Sequence, residues 1–286
     1  MTFTELFLDP LQFQFMERAL TAAILVGGIS GFVGAFVVVR GMAFFGDALA
    51  HSILPGVALA YLYERDLFMG GLIAGVGTAV GVGWLTREQR IKEDTAIGIL
   101  FAGMFALGIA IISSSRSYAT DLSHILFGNI LGVSPEDLTI MRWCGVVVVG
   151  IILLFYKELV ISSFDPTFAR SVKLPNEFLR MLLLVLVAIT IVASLRIVGI
   201  SMMIAMLVTP PATARLLVKR FFLMMILSAA IGIFSGIGGL YISFHQDVAT
   251  GPAIVLTATG IFLFVFILTQ ISIAIQNFRH PNHQSL

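Results

Sequence analysis

An aspartate and a histidine four residues apart, Asp47 and His51, stand inside GMAFFGDALAHSILPGVALAYLY, a stretch otherwise apolar enough to cross a membrane. A spacing of i and i+4 puts both side chains on one face of a helix. Ionisable groups at membrane depth are costly, so they usually line an interior pathway and find partners. A carboxylate oxygen and a neutral imidazole nitrogen facing the same way suit Mn(II), Fe(II) or Zn(II), whereas soft Cu(I) calls for thiolate or thioether. One chain offers two such donors here, and a twofold axis would make them four, enough for a tetrahedral shell. The plainer reading is a hydrogen-bonded packing histidine beside an aspartate that reaches the membrane interface. Burial cost and spacing alone leave both readings open.

Four further sets of residues invite a chemical reading. Asp121 and His124 fall at i and i+3 in the external segment DLSHILFGN, where an arriving ion could touch them; a solvated aspartate and an interfacial histidine are the plainer reading. His245 and Asp247 are two residues apart, hence not on one helix face, and read as a polar external turn before Gly251-Pro252 restarts a helix. In MLVTPPATARLL, Pro210 and Pro211 remove backbone donors near the end of a span and predict a bend. Thr209 and Thr213 are placed to serve carbonyls left open there. Met202, Met203, Met206, Met224 and Met225 could line a Cu(I) path, but methionine in such a chain is more simply adaptable apolar filling.

The elements that must position these residues are membrane helices. With 58% hydrophobic and 12% charged residues and a mean hydropathy of +1.02, the 286-residue chain has too little polar surface for a water-soluble globule. A net charge of +1 gives no field for nucleic acid. The single cysteine, Cys144, sits in MRWCGVVVVG as an apolar packing residue and forms no intrachain disulfide. The N-terminal stretch lacks the basic start and short apolar core of a cleavable signal, so the first span is expected to stay in the mature chain. The fold class is all-α, a polytopic transmembrane bundle read as one domain over residues 1–286.

A window of about 20 residues gives spans near 17–39, 43–63, 67–85, 95–114, 139–156, 178–195, 197–214, 221–243 and 253–275. Basic residues cluster in every second loop, at Arg40, in REQRIKED, from Lys157 to Lys173, and in RLLVKR. By the positive-inside rule those loops are cytoplasmic, which puts the N-terminus outside. Nine crossings result, or eight if the almost loopless 178–214 pair counts once, and 120–137 could form a re-entrant or interfacial helix beside them. Small-residue faces at Gly27, Gly28, Gly31 and Gly34, and in GGLIAGVGTAVGVG, read as close helix packing.

One cytoplasmic loop differs. KELVISSFDPTFARSVKLPNEF is long and polar, and carries Phe164, Phe168 and Val172 at helical spacing, with Asp165-Pro166 as a helix start. A short helix with exposed aromatics either docks a partner or rests on lipid headgroups.

In chain order, MAFFGDALAHSILPGVALAY, DLSHILFGNILGVSPED, FDPTFARSV, MLVTPPATARLL and the stretch from His245 to Leu256 resemble the permease subunits of ABC importers for manganese, zinc and iron. The resemblance covers almost the whole chain. It implies a homodimer in a prokaryotic plasma (inner) membrane, two ATPase subunits docked on a coupling helix, and an extracytoplasmic protein that delivers the ion. FDPTFARSV then looks like the coupling helix, with Phe164, Asp165, Pro166 and Ala169 matching the family pattern, and Asp47 and His51 correspond to the metal path. Asp121, His124, His245 and Asp247 become possible contacts for the delivery protein, and the form of DLSHILFGN is nearer the manganese branch.

Two rivals come from other classes. Gly28-Ile29-Ser30-Gly31 fits the GxSG pattern of an intramembrane serine protease, with His51 on the next span, but four small residues recur by chance in such helices. A proton-coupled secondary carrier could use the Asp47 and His51 pair, yet has no use for a docking helix. No Walker A pattern, GxxxxGK[ST], occurs, so ATP would be bound and hydrolysed by a partner subunit and this chain is not itself an enzyme. The expectation is a permease, binding no cofactor of its own, whose two halves alternate access to transported Mn(II), with Zn(II) or Fe(II) behind it.

Overall fold

Long apolar runs with no acceptor but their own backbone must close their hydrogen bonds within the segment, which in lipid means helix. The computed structural model describes residues 12–87, 91–113 and 130–279, and every regular element among them is helical. In chain order these are α1 (Gln14–Val39), α2 (Ala43–Ser52), α3 (Leu54–Leu62), α4 (Leu67–Leu85), α5 (Glu93–Ser113) and α6 (Pro135–Leu154). Two short elements follow, α7 (Tyr156–Phe164) and α8 (Pro166–Ser171), then α9 (Asn176–Leu217), α10 (Phe221–Gln246) and α11 (Thr250–Arg279).

Eight stretches are long and apolar enough to cross a membrane, α2 and α3 together making one of them. The 42-residue α9 crosses twice. Its helical backbone breaks at Gly199, where φ is 75° and ψ 176°, a conformation open essentially to glycine alone. Near its start, Arg180 bonds Thr86 and pairs with Glu93, and Glu93 pairs with Arg40 just past the end of α1. Arg196 instead meets Asp66 before α4 and Asp137 at the start of α6, the opposite end of both helices. Just beyond the end of α9, the Phe221 ring lies against Phe36, back near the end of α1. The chain therefore goes out over 176–198 and returns over 200–217, so that the eight apolar stretches make nine passes among the described residues, one of the two counts the sequence leaves open. The reversal falls three residues after Arg196.

The helix breaks at Gly199, whereas Pro210 and Pro211, where the sequence predicts a bend, keep helical φ and ψ. Thr213 Oγ1 donates to the Thr209 carbonyl at 2.8 Å. That carbonyl is not one of the two that the prolines leave open, which belong to Met206 and Leu207 four residues before each. Both prolines are buried in the core, and the Pro211 ring lies against Gly34 of α1.

The core forms around α1, which packs on α10, α9 and α6. A Cβ on Gly27 would stand 2.5 Å from the Gly232 carbonyl oxygen of α10, so these helices touch backbone to backbone, the small-residue packing read from sequence. The five methionines at 202, 203, 206, 224 and 225 are all buried in the apolar core. By contrast, α11 turns Leu263, Phe264, Ile267 and Ile271 outward, as lipid-facing helices do.

Candidate metal site

The second crossing is split at Ile53, where Pro55 starts α3 without a backbone donor. Asp47 and His51 occupy the α2 half. At 1.5 Å per residue, His51 lies about 12 Å along the axis from Ala43, placing the pair in the inner half of a crossing whose start adjoins the basic Arg40 corner.

His51 Nδ1 is 2.9 Å from the backbone carbonyl oxygen of Asp47. A carbonyl only accepts, so Nδ1 carries the proton and donates, and Nε2 presents its lone pair. The ring is held edge-on by Phe101 at 5.8 Å and Phe105 at 5.6 Å, two α5 rings that stack on each other. These contacts restrain the imidazole through Nδ1 and its ring faces, and metal-ligating histidines are likewise fixed by their other nitrogen. The Asp47 carboxylate reaches within 3.6 Å of Nδ1 and accepts no hydrogen bond among the described residues.

Both side chains are partly open, 37% for Asp47 and 27% for His51. With exposed Phe44 and Leu59 they form one stripe along α2 and α3, while Phe45, Ala48, Leu49 and Ser52 face the core. Among the described residues no group of three or more metal-ligating side chains forms. One protomer thus supplies a carboxylate and an imidazole on an open face, and any fuller shell needs donors from elsewhere.

The other expected residues disperse. Asp121 and His124 lie outside the described residues. His245 Nδ1 donates to the Tyr241 carbonyl at 2.9 Å near the outer end of α10, and exposed Asp247 ends that helix in left-handed backbone, the polar turn foreseen. Ser30 is fully buried with its hydroxyl 3.4 Å from that of Ser194. Its partner is therefore a second serine, and the GxSG pattern gains no support from a base.

The cytoplasmic segment folds as its residues suggest. Asp165 caps α8 by accepting from the Thr167 and Phe168 amides at 3.1 and 2.8 Å, and Pro166 takes the first helical position. Ala169 is buried underneath, while Phe164, Phe168 and Val172 are about half exposed or more. The Ser162 hydroxyl donates to Asn176 Oδ1 at 2.5 Å, tying the segment to the base of α9, and Phe164 sets its ring edge-on to Phe221 at 5.4 Å.

Sequence reasoning missed a set of paired charges built on two largely buried arginines. Arg40, Glu93, Arg180 and Glu177 join at the inner end, and burial pulls the Arg40 guanidinium below the usual arginine range, with Glu93 opposing. Arg40 had been read only as a marker of orientation. Arg180 in the first turns of an apolar crossing was the signal available.

Residues 12–269 match the family described as the ABC 3 transport family. The chain is 46% identical over 256 residues to the manganese transport system membrane protein MntC of Halalkalibacterium halodurans, covering 90% of this chain and 88% of that one. It is 38% identical to a probable iron transport system membrane protein of Haemophilus influenzae, covering 93% and 98%. Among solved structures, PsaBC from Streptococcus pneumoniae in complex with Fab superposes with a TM-score of 0.80 at 41% identity, covering 93% of this chain and 95% of that one. Nine crossings, an ionisable pair on an open helix face and a match that runs through nearly the whole length agree: the chain belongs to the ABC 3 transport family.

Proposed function

We propose that this chain is the permease domain of an ATP-driven importer in a prokaryotic plasma membrane, paired with a second copy of itself and passing a divalent transition metal inward. The observation that carries the metal path is the pair itself: an imidazole whose Nδ1 is held by the Asp47 carbonyl beside a carboxylate that accepts no hydrogen bond among the described residues, both on a partly exposed face of α2. Lipid is a poor neighbour for that face. A second copy turned about a twofold axis answers it, bringing two carboxylates and two imidazoles together. Such a shell of mixed donors holds an ion loosely enough to release it.

Manganese is the first choice, supported by the name of the Halalkalibacterium halodurans relative, and the Haemophilus influenzae relative keeps iron in view. Zinc remains a third candidate, since a nitrogen and oxygen site binds Zn(II) more tightly than Mn(II). Selection then falls to the extracytoplasmic protein that delivers the ion. The exposed Phe164, Phe168 and Val172 face of the coupling helix suits insertion into an ATPase subunit, two of which would supply ATP hydrolysis. A secondary carrier finds no support, because a capped and tethered cytoplasmic helix has no task in it.

The test is accumulation of Mn(II), Fe(II) and Zn(II) in cells producing this chain with its ATPase and delivery protein. Loss of uptake in Asp47→Ala, His51→Ala and Phe164→Ala with the dimer intact is the expected result. Uptake that persists without the ATPase and follows a proton gradient would overturn the ATP-driven reading.

A further inference from the structure

The inner end of the protomer is closed by charges that are neither metal donors nor part of the docking face. Arg40 follows α1, Glu93 opens α5, and Glu177 and Arg180 lie at the base of α9. Arg40 Nη2 donates to Glu93 Oε1 at 3.0 Å, and Arg180 Nη1 approaches the same oxygen at 3.6 Å. Arg180 also donates to Glu177 at 2.7 Å, to Thr86 Oγ1 at 2.5 Å and to the Gly83 carbonyl at 2.8 Å, closing the C-terminal end of α4. Both guanidinium groups are only 10% exposed and Glu93 only 22%. Removing one member of such a set leaves a buried charge unpaired, so the set either moves together or exchanges partners.

Its position gives it two neighbours of interest. On one side the base of α9 is tied to the docking segment through Ser162 and Asn176. On the other, two residues separate Arg40 from α2. Gly41 there has φ 71°, and the Met42 amide is fixed on the Val37 carbonyl at 2.9 Å. Asp47 then lies one helical turn into α2. The corner has little slack, so a shift of Arg40 is a shift of the metal-bearing helix. Partner exchange is also within reach: one carboxylate oxygen serves two guanidinium groups, and Arg40 Nη1 and Arg180 Nε are buried without an acceptor among the described residues.

We propose that Arg40 and Glu93 are positioning residues that transmit movement of the cytoplasmic docking helix to the Asp47 and His51 pair. The proposal rests on the ATP-driven reading above. Movement of α8 displaces the base of α9, Arg180 draws on Glu93, and Glu93 draws on Arg40 and thereby on α2. A cluster that only glued helices together would hold the fold and carry no signal.

The experiment uses the complete complex with its ATPases in lipid nanodiscs. Hydrogen exchange of residues 160–175 and 41–53 is compared without nucleotide and after trapping with Mg-ATP and vanadate. Wild type is expected to respond in both segments. Arg40→Gln should keep the response at 160–175 and lose that at 41–53 by about fivefold or more, the lower range of a coupling between sites. Glu93→Gln should behave alike and serves if Arg40→Gln assembles poorly. Arg40→Lys should restore the response, because Arg40 meets Glu93 through a single nitrogen. A response at 41–53 that survives in both Gln variants, or is missing in wild type while 160–175 responds, overturns the coupling role. Silence of wild type at 160–175 as well would defeat the ATP-driven reading, and the coupling role with it.

Discussion

His51 and His245 make the same local bond, Nδ1 to the carbonyl four residues back at 2.9 Å, yet the metal path we propose uses only His51. Around His51 the residue four back is an aspartate whose carboxylate stands 3.6 Å away, and two α5 phenylalanines wall the ring in the inner half of a crossing. Around His245 the residue four back is Tyr241, and the nearby carboxylate of Asp247 belongs to a left-handed helix end. A fixed tautomer is thus common property of helical histidines. What distinguishes a ligand is a second donor on the same face and a depth where water cannot replace it.

That contrast can be broken most directly by removing donors. Asp47→Ala and His51→Ala should each cut metal accumulation by about 100-fold, the upper range for loss of a group tied to a metal site, while His245→Ala stays within about twofold, having lost one bond worth about 1 kcal/mol. Equal losses at the two histidines would erase the distinction. Asp47→Asn keeps the shape but not the charge and should cost about tenfold, read as uptake at equal protein level. Phe101→Ala frees one side of the His51 ring and should cost less than about tenfold in uptake, with no change in dimer yield. The smallest effect is expected at the outer turn. Asp247→Gly suits a φ of 49° and should leave uptake unchanged while thermal unfolding in detergent stays level or rises by up to about 1 kcal/mol.

Much of this was legible in the sequence for a physical reason: in a membrane, span length, charge side and helix face are local properties. GDALAH needs only the period of a helix to place Asp47 beside His51, and FDPTF carries its own cap. The paired charge cluster was not legible, because Glu93 in REQRIKED and Arg40 after an apolar run read as ordinary loop charges until four helices bring them together. The break in α9 misled in a different way. Two adjacent prolines are the louder signal, but helical backbone tolerates them where neighbours pack well, whereas Gly199 turns the chain without announcing itself among so many glycines.

The Gly199 reversal bears on how the protein is made. The two arms it joins share no polar loop to be drawn across the bilayer, and their far ends return to one end of the bundle, where Arg180 meets Glu93 beside Arg40 and Phe221 meets Phe36. Neither arm can wait for the other in a half-inserted state without leaving the turn in hydrocarbon with open backbone groups. The pair must enter the membrane as one hairpin, its tip secured outside by Arg196 with Asp66 and Asp137. Biogenesis of this chain therefore proceeds there by a double step, and a residue with a side chain at position 199 would be felt first as a failure of insertion.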